Sequence, residues 1–168
     1  MFGIKKILCP TDFSETSRAA FDVAKSIANK FDAKIFALHV AMTPPEYDEW
    51  APDLPVDDED LAQRADELSE WGREDSGEIE RLVLVGNAEA VILREAEERG
   101  CDLIVMGTTG RGGIGRLLLG SVAEHVSRKA PCPVLLVKGE TAKPASTPPK
   151  TAAASNQDQS TFTYWHGP

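Results

Sequence analysis

Five short apolar runs alternate with amphipathic segments along residues 1–138, and this alternation constrains the fold more than any other feature. We predict strands at 3–10, 33–42, 79–86, 101–107 and 133–138. Continuous apolar strands joined by helices are typical of a parallel sheet, because each crossover helix must pack on one of its faces. The sequence therefore predicts an α/β fold, a five-stranded parallel sheet with helices on both faces.

The segments between the predicted strands have helical periodicity. In residues 14–31 an apolar stripe is formed by Ala20, Val23, Ala24, Ile27 and Phe31. A second helix follows an acidic, proline-containing loop at 43–60, and its apolar repeat consists of Leu61, Ala65, Leu68 and Trp71. We place a third helix at 88–100, with Gly100 at the C-terminal cap position, and a fourth at 117–129.

The composition changes after residue 138. Residues 139–168 are rich in Pro, Ala, Ser and Thr and contain few large apolar side chains. Such a segment cannot bury enough apolar surface to fold, so we predict one domain at 1–138 followed by a disordered tail.

The net charge of −9 argues against a nucleic-acid backbone or an anionic membrane surface as partner. No apolar run approaches the roughly 20 residues of a membrane span, and the N-terminus lacks the pattern of a secretory signal, so we expect a cytoplasmic protein. Acidic residues concentrate between Glu46 and Glu80, which indicates a solvated loop and helix face. Cys9, Cys101 and Cys132 are widely spaced within apolar runs, which predicts buried thiols rather than a metal or redox site.

The glycine-rich stretch GTTGRGGIGRLLLGS occupies residues 107–121, directly after the fourth predicted strand. Glycines permit close backbone approach to a phosphate, and a following helix N-terminus favours an anion. The stretch lacks the Gly-Lys-Ser/Thr ending of a P-loop. Gly110, Gly112 and Gly115 match G-x-G-x-x-G, but that fingerprint follows the first strand of a dinucleotide-binding unit, and here one strand remains.

A second pattern covers the same stretch, because Gly107, Gly110, Gly120 and Ser121 are spaced as G-x2-G-x9-G-S. This spacing resembles the nucleotide-binding motif of the universal stress protein family. The resemblance extends over residues 1–138 through the ordered blocks KKILCPTDFSETSRAA, LHV, CDLIVMGTTGRGG and APCPVLLVK. It implies a Rossmann-like sheet in the order 3-2-1-4-5, ATP lying over strands one and four, and a homodimer formed through the strand at 133–138.

The resemblance also implies which residues contact the nucleotide. Adenine and ribose would meet Pro10, Thr11, Asp12 and the backbone of Val40. The residues running beneath ribose and phosphates would be Met106, Gly107, Thr108, Thr109, Gly110, Arg111, Gly112 and Gly113. Gly120, Ser121 and Val122 would begin the last helix and offer amides and one hydroxyl to the phosphates. Mg²⁺ or Mn²⁺ would arrive with the phosphates, since the motif contains no carboxylate cage.

Several of these residues also suit ordinary structural roles. Asp12 fits a helix N-cap with Glu15 three residues later, and Ser121 fits a helix cap. Val40 fits a strand end, and the glycines fit a flexible turn.

Catalysis has little support in the sequence, and we assign no catalytic or metal-ligating residue. Lys5 and Lys6 lie at the wrong end of the first strand, and no carboxylate is evidently placed to activate a water. We expect a packing role for His39, a solvent-facing position for His125 and, at most, slow ATP hydrolysis.

Three functional hypotheses remain open. The first is an ATP-binding regulatory protein that supports stress resistance through nucleotide-dependent conformation or partner binding. The second is a nucleotide-independent module that binds a protein partner. The third is an ATPase or phosphotransferase. ATP is not distinguished from AMP or a cyclic nucleotide, because the adenine contacts would be similar.

Overall fold

The computed structural model describes residues 3–41, 58–73, 77–108 and 119–138. The strands are β1 (Lys6–Thr11), β2 (Lys34–Ala41), β3 (Ile79–Val85), β4 (Leu103–Gly107) and β5 (Val134–Val137). The helices are α1 (Glu15–Phe31), α2 (Asp58–Ser69), α3 (Ala88–Glu98) and α4 (Ser121–Lys129). All strand pairs are parallel and the order is β3-β2-β1-β4-β5, so the predicted fold class and strand order are confirmed.

Two of the boundaries that differ from those predicted, at β1 and α4, bear on the carboxyl edge of the sheet. β1 begins at Lys6 and continues past Pro10, and only Ile7 and Leu8 of this strand pair with β4 in the part of the chain that the structure describes. A proline has no N–H to donate to a neighbouring strand. Pro10 is tolerated in β1 because it lies beyond the residues that pair with both β2 and β4. The predicted helix start at 117 is wrong: α4 begins at Ser121, and Gly120, in extended conformation, is its N-cap.

The sheet is covered on both faces because alternate strand residues point in opposite directions. Ile7 and Cys9 of β1 belong to one buried cluster, which also contains the buried apolar residues of α1, Leu68 of α2 and Trp71 in the turn that follows α2. Leu8 belongs to the other cluster, with the buried apolar residues of α3 and α4. β1 therefore contributes to both halves of the core, as do its neighbours β2 and β4.

The apolar stripes of the first two helices differ from those predicted. The buried residues of α1 are Ser17, Ala20, Phe21, Ala24 and Ala28, whereas Phe31 is 41% exposed. In α2, Ala65 is exposed and burial is concentrated at Leu68, while Trp71 lies in the turn after the helix. Arg81 of β3 explains this, because its guanidinium donates to the carbonyls of Leu68 at 3.2 Å and Trp71 at 2.6 Å and so holds that end of α2 against the sheet.

A buried carboxylate ties α3 to the sheet. Glu95 is 6% exposed and accepts hydrogen bonds from Arg99 at 2.8 Å and Arg94 at 3.1 Å. Burial alone would raise the pKa of Glu95, but these two guanidinium groups outweigh it and the pKa is lowered. Arg99 also donates to Glu80 of β3 at 2.9 Å, so one guanidinium joins two elements.

The thiols agree with the predicted burial at Cys9 and Cys101, while Cys132 is half-buried. Burial raises the pKa of Cys9 to about 12 and that of Cys101 to about 11, which disfavours the reactive thiolate at neutral pH.

Within the described part of the chain, no helix combines the length and apolar character needed to cross a bilayer. The predicted loop at 43–60 is wrong at residues 58–60, which form the first three residues of α2. The rest of that loop and the predicted disordered tail at 139–168 lie outside the described residues, and the domain boundary at 138 stays a prediction.

Candidate functional site

The carboxyl ends of β1 and β4 meet where the strand order reverses. From β1 the chain builds β2 and β3 on one side and then β4 and β5 on the other. β1 and β4 are parallel, with Ile7 paired to Leu103, so their carboxyl-terminal residues Thr11 and Gly107 lie at the same edge of the sheet. Ligands of open parallel sheets bind beyond the strand ends at such a switch point. The structure therefore brings the predicted residues of the β1 end and the β4 end to one edge.

The loop after β1 orients the carboxylate of Asp12. Its Oδ1 accepts hydrogen bonds from the backbone N–H of Ser14 at 3.1 Å and from the Ser14 hydroxyl at 2.6 Å. The N-cap of α1 is Ser14, whose hydroxyl oxygen accepts from the N–H of Ser17 at 3.2 Å. The N-cap alternative for Asp12 is thus wrong, because Asp12 lies two residues too early and supports the capping serine instead.

Thr11 and Ser17 close the same loop from beneath. The hydroxyl of Thr11 accepts the N–H of Phe13 at 2.9 Å and lies 3.0 Å from the Ser17 hydroxyl, which itself donates to the carbonyl of Ser14 at 2.9 Å. Both side chains are buried. Buried hydroxyls with partners on each side hold the loop in one conformation, which is the preorganisation that a binding loop needs.

Gly107 packs against the start of α1. A methyl group added to its Cα would lie 3.0 Å from Cγ2 and 3.2 Å from the carbonyl carbon of Thr16, and 3.3 Å from the amide nitrogen of Ser17. Two of these three atoms belong to the backbone and cannot rotate away. The absence of a side chain at Gly107 is therefore explained by helix packing, in addition to any ligand, and not by a flexible turn.

Thr108 joins the end of β4 to the start of α4. Its N–H donates to the carbonyl of Val137 at 2.9 Å, and its carbonyl accepts from the N–H of Gly120 at 2.8 Å. The first hydrogen bond within α4 runs from Glu124 to Gly120, so the amides of Ser121 and Val122 belong to the turn that has no intrahelical acceptor. The helix-cap alternative for Ser121 is wrong, because Gly120 is the N-cap and Ser121 is the first helical residue.

Pro10, Met106 and Val40 line the strand ends behind this edge. Pro10 and Met106 are buried, and Val40 of β2 is half-buried against the cluster shared with α3 and α4. Val40 follows His39, the register partner of Thr11, so it stands at the same end of the sheet. The predicted residues Thr109, Gly110, Arg111, Gly112 and Gly113 lie outside the described residues.

The sequence assigns no catalytic role to Lys5, Lys6 or His125. Lys5 and Lys6 stand at the amino end of β1, opposite the Asp12 loop. His125 is not simply solvent-facing: its Nδ1 lies 3.2 Å from Glu89, because α3 and α4 pack side by side. In the described ranges no three His, Cys, Asp or Glu side chains converge in a way that would hold a metal ion.

Comparison with known proteins places this geometry in a family. The model of the universal stress protein family matches residues 3–138. This chain belongs to the universal stress protein family. Universal stress protein MJ0531 of Methanocaldococcus jannaschii is 39% identical over 139 residues, which cover 80% of this chain and 82% of that relative.

Solved structures agree with this membership. The structure of MJ0577, also from Methanocaldococcus jannaschii, has a TM-score of 0.70 at 31% identity and covers 82% of this chain and 97% of its own. A universal stress protein solved in complex with cAMP has a TM-score of 0.61 at 27% identity, covering 82% of this chain and 99% of its own. These structures share the five-stranded parallel fold of this universal stress protein.

Sequence reasoning missed four residues that shape the edge: Phe13, Ser14, Thr16 and Ser17. The run DFSETS carried a usable signal, since Ser14 also has the right side chain for an N-cap. No signal in the sequence indicated the contact of Thr16 with Gly107, because these residues come from distant parts of the chain.

We predict that Gly107→Ala lowers the free energy of unfolding by about 1–3 kcal/mol, because the added methyl group must push the first turn of α1 away from β4. Denaturant unfolding in the absence of nucleotide measures this change. Gly77→Ala is the matched control, since its methyl group would meet only the Asn29 side chain at 3.8 Å. Equal stability of the two variants would contradict the packing role of Gly107.

Proposed function

We propose that this protein is a cytoplasmic ATP-binding regulator that supports stress resistance through nucleotide-dependent conformation or partner binding. The observation that carries the proposal is the juxtaposition, at one switch point, of an ordered carboxylate loop after β1, the end of β4 and the N-terminus of α4. The related protein solved in complex with cAMP supports an adenine nucleotide as the ligand class.

Adenosine would lie against the ends of β1 and β2. Pro10 and Thr11 provide the buried floor, Asp12 offers a carboxylate to ribose hydroxyls, and the backbone of Val40 reads the adenine edge. A carboxylate that is already oriented by Ser14 loses little conformational freedom on binding, which favours affinity.

The phosphates would lie towards α4. Its first-turn amides, at Ser121 and Val122, carry the partial positive charge of a helix N-terminus, and the Ser121 hydroxyl adds a donor. The amide of Gly120 already donates to Thr108, so Gly120 would contribute by shaping the helix start. Residues 109–113, with the Arg111 guanidinium, would complete the phosphate side, and Mg²⁺ or Mn²⁺ would be held by the phosphates themselves.

Thr108 offers a route from the nucleotide to the surface. It is bonded on one side to Gly120 at the start of α4 and on the other to Val137 at the end of β5. A ligand that displaces the α4 N-terminus would therefore act on the edge strand. The size of any such shift is limited by the difference in ATP affinity between the two states.

We predict that the native protein carries adenine nucleotide and that Asp12→Ala weakens ATP binding about tenfold to a hundredfold, as expected for losing a hydrogen bond to a charged group. Denaturing the purified protein and analysing the supernatant by mass spectrometry identifies the nucleotide. Calorimetry of the emptied protein with ATP and with AMP then gives the affinities.

The matched control is Glu97→Ala, which removes the same charge from an exposed position at the far end of α3. It should leave the ATP affinity unchanged. No released nucleotide and no binding heat would contradict the proposal and favour the nucleotide-independent module.

We also propose a homodimer formed through the strand at 133–138. β5 is an edge of the sheet, and Leu135 at its centre is 38% exposed. An exposed apolar edge strand is a template for pairing with another chain. A second copy pairing there would lie next to the Val137–Thr108 bond, which connects the edge to the nucleotide site.

Leu135→Lys should convert the dimer to a monomer, because each copy would bring a charge into the same interface. Light scattering at micromolar concentration measures the mass. Val85→Lys, at the opposite edge and with 37% exposure, is the matched control and should remain dimeric. A native protein with monomeric mass would rule out the dimer.

A further inference from the structure

Phe13 holds an unusual backbone conformation beside Asp12. Its φ is 63°, in the left-handed region that bulky residues rarely adopt. Such a conformation costs free energy and persists only where surrounding contacts hold it. The question is which contacts hold Phe13, since the same turn of chain determines where the Asp12 carboxylate stands.

The ring of Phe13 is wedged between two other rings. Its centroid lies 4.5 Å from that of His39, with planes tilted by 37°, and 5.9 Å from that of Trp71, in an edge-on arrangement. Trp71 is 1% exposed, and Arg81 holds its carbonyl at 2.6 Å. Phe13 therefore packs between the buried Trp71 on the α2 side and His39 on the β2 side.

His39 is also bonded to the residue before Asp12. Its Nδ1 lies 2.9 Å from the carbonyl oxygen of Thr11, its register partner on β1. A carbonyl oxygen only accepts, so Nδ1 carries the hydrogen. The His39 imidazole therefore contacts both neighbours of Asp12 in the sequence. It is hydrogen-bonded to the carbonyl of Thr11 and packs against the ring of Phe13.

We propose that His39 is a positioning residue for the nucleotide site. It fixes the conformation of residues 11–14, in which Ser14 donates twice to the Asp12 carboxylate. The consequence for binding rests on the proposed function, whereas the consequence for the loop does not. His39 itself acts through Thr11 and Phe13 rather than on the ligand.

The central experiment compares His39→Leu with His39→Asn. Leucine fills the space but donates nothing, while asparagine places an N–H close to where the imidazole Nδ1 stands. Hydrogen exchange of the Phe13 and Ser14 amides, measured without nucleotide, should be about tenfold faster in His39→Leu and stay within about threefold of native in His39→Asn. Phe36→Leu, in the same strand, controls for general loss of stability because Phe36 is buried in the opposite cluster.

Calorimetry with ATP gives the second reading. The Kd should rise about fivefold to tenfold in His39→Leu and be largely restored in His39→Asn. Faster loop exchange with an unchanged Kd would overturn the link to binding. Exchange no faster than in Phe36→Leu would overturn the positioning role. If the native protein binds no adenine nucleotide, the proposed function fails while the exchange result still decides the role of His39 in the loop.

A measurement on the native chain needs no variant to fold. The ¹⁵N chemical shifts of the neutral His39 ring report its tautomer. A hydrogen on Nδ1 supports the bond to Thr11, and a bare Nδ1 overturns the proposal.

Discussion

Gly107 lies so close to the first turn of α1 that the backbone of Thr16 and Ser17 occupies the space a side chain would need. This contact joins the end of β4 to the helix that follows β1, and it brings together segments about 90 residues apart in sequence. The two segments that form the carboxyl edge both start at this contact. The Asp12 loop leads into the same first turn, and Thr108 continues from the same glycine.

At this edge, buried hydroxyl groups lie beneath the Asp12 loop and the Asp12 carboxylate lies on the loop itself. Thr11 and Ser17 share a buried hydroxyl contact beneath the loop, while Ser14 turns its two donors to Asp12. On the β4 side, Thr108 connects α4 with the edge strand β5. A single ligand bound here would contact elements from both halves of the sheet, which is the geometry that the proposed regulatory role requires.

Sequence periodicity predicted the alternating elements, because parallel strands buried on both faces are continuously apolar and their crossover helices are amphipathic. It did not resolve local choices between chemically similar residues: Asp12 and Ser14 both suit an N-cap, and Ser14 is used. Sequence periodicity could not predict contacts between segments that are distant in the sequence. From the sequence, Gly107 fits either close approach to a ligand or a flexible turn, and nothing indicates the contact of Phe13 with His39, since both features depend on how helices and strands pack.

An amide chemical-shift map of the native protein titrated with ATP would locate the nucleotide on the sheet. We expect the largest changes at Asp12, Phe13, Thr108, Ser121 and Val122, with little change at Glu97 on the far end of α3. Changes concentrated on α3 or on the β3 edge, with the Asp12 loop unaffected, would contradict a nucleotide site at the switch point between β1 and β4.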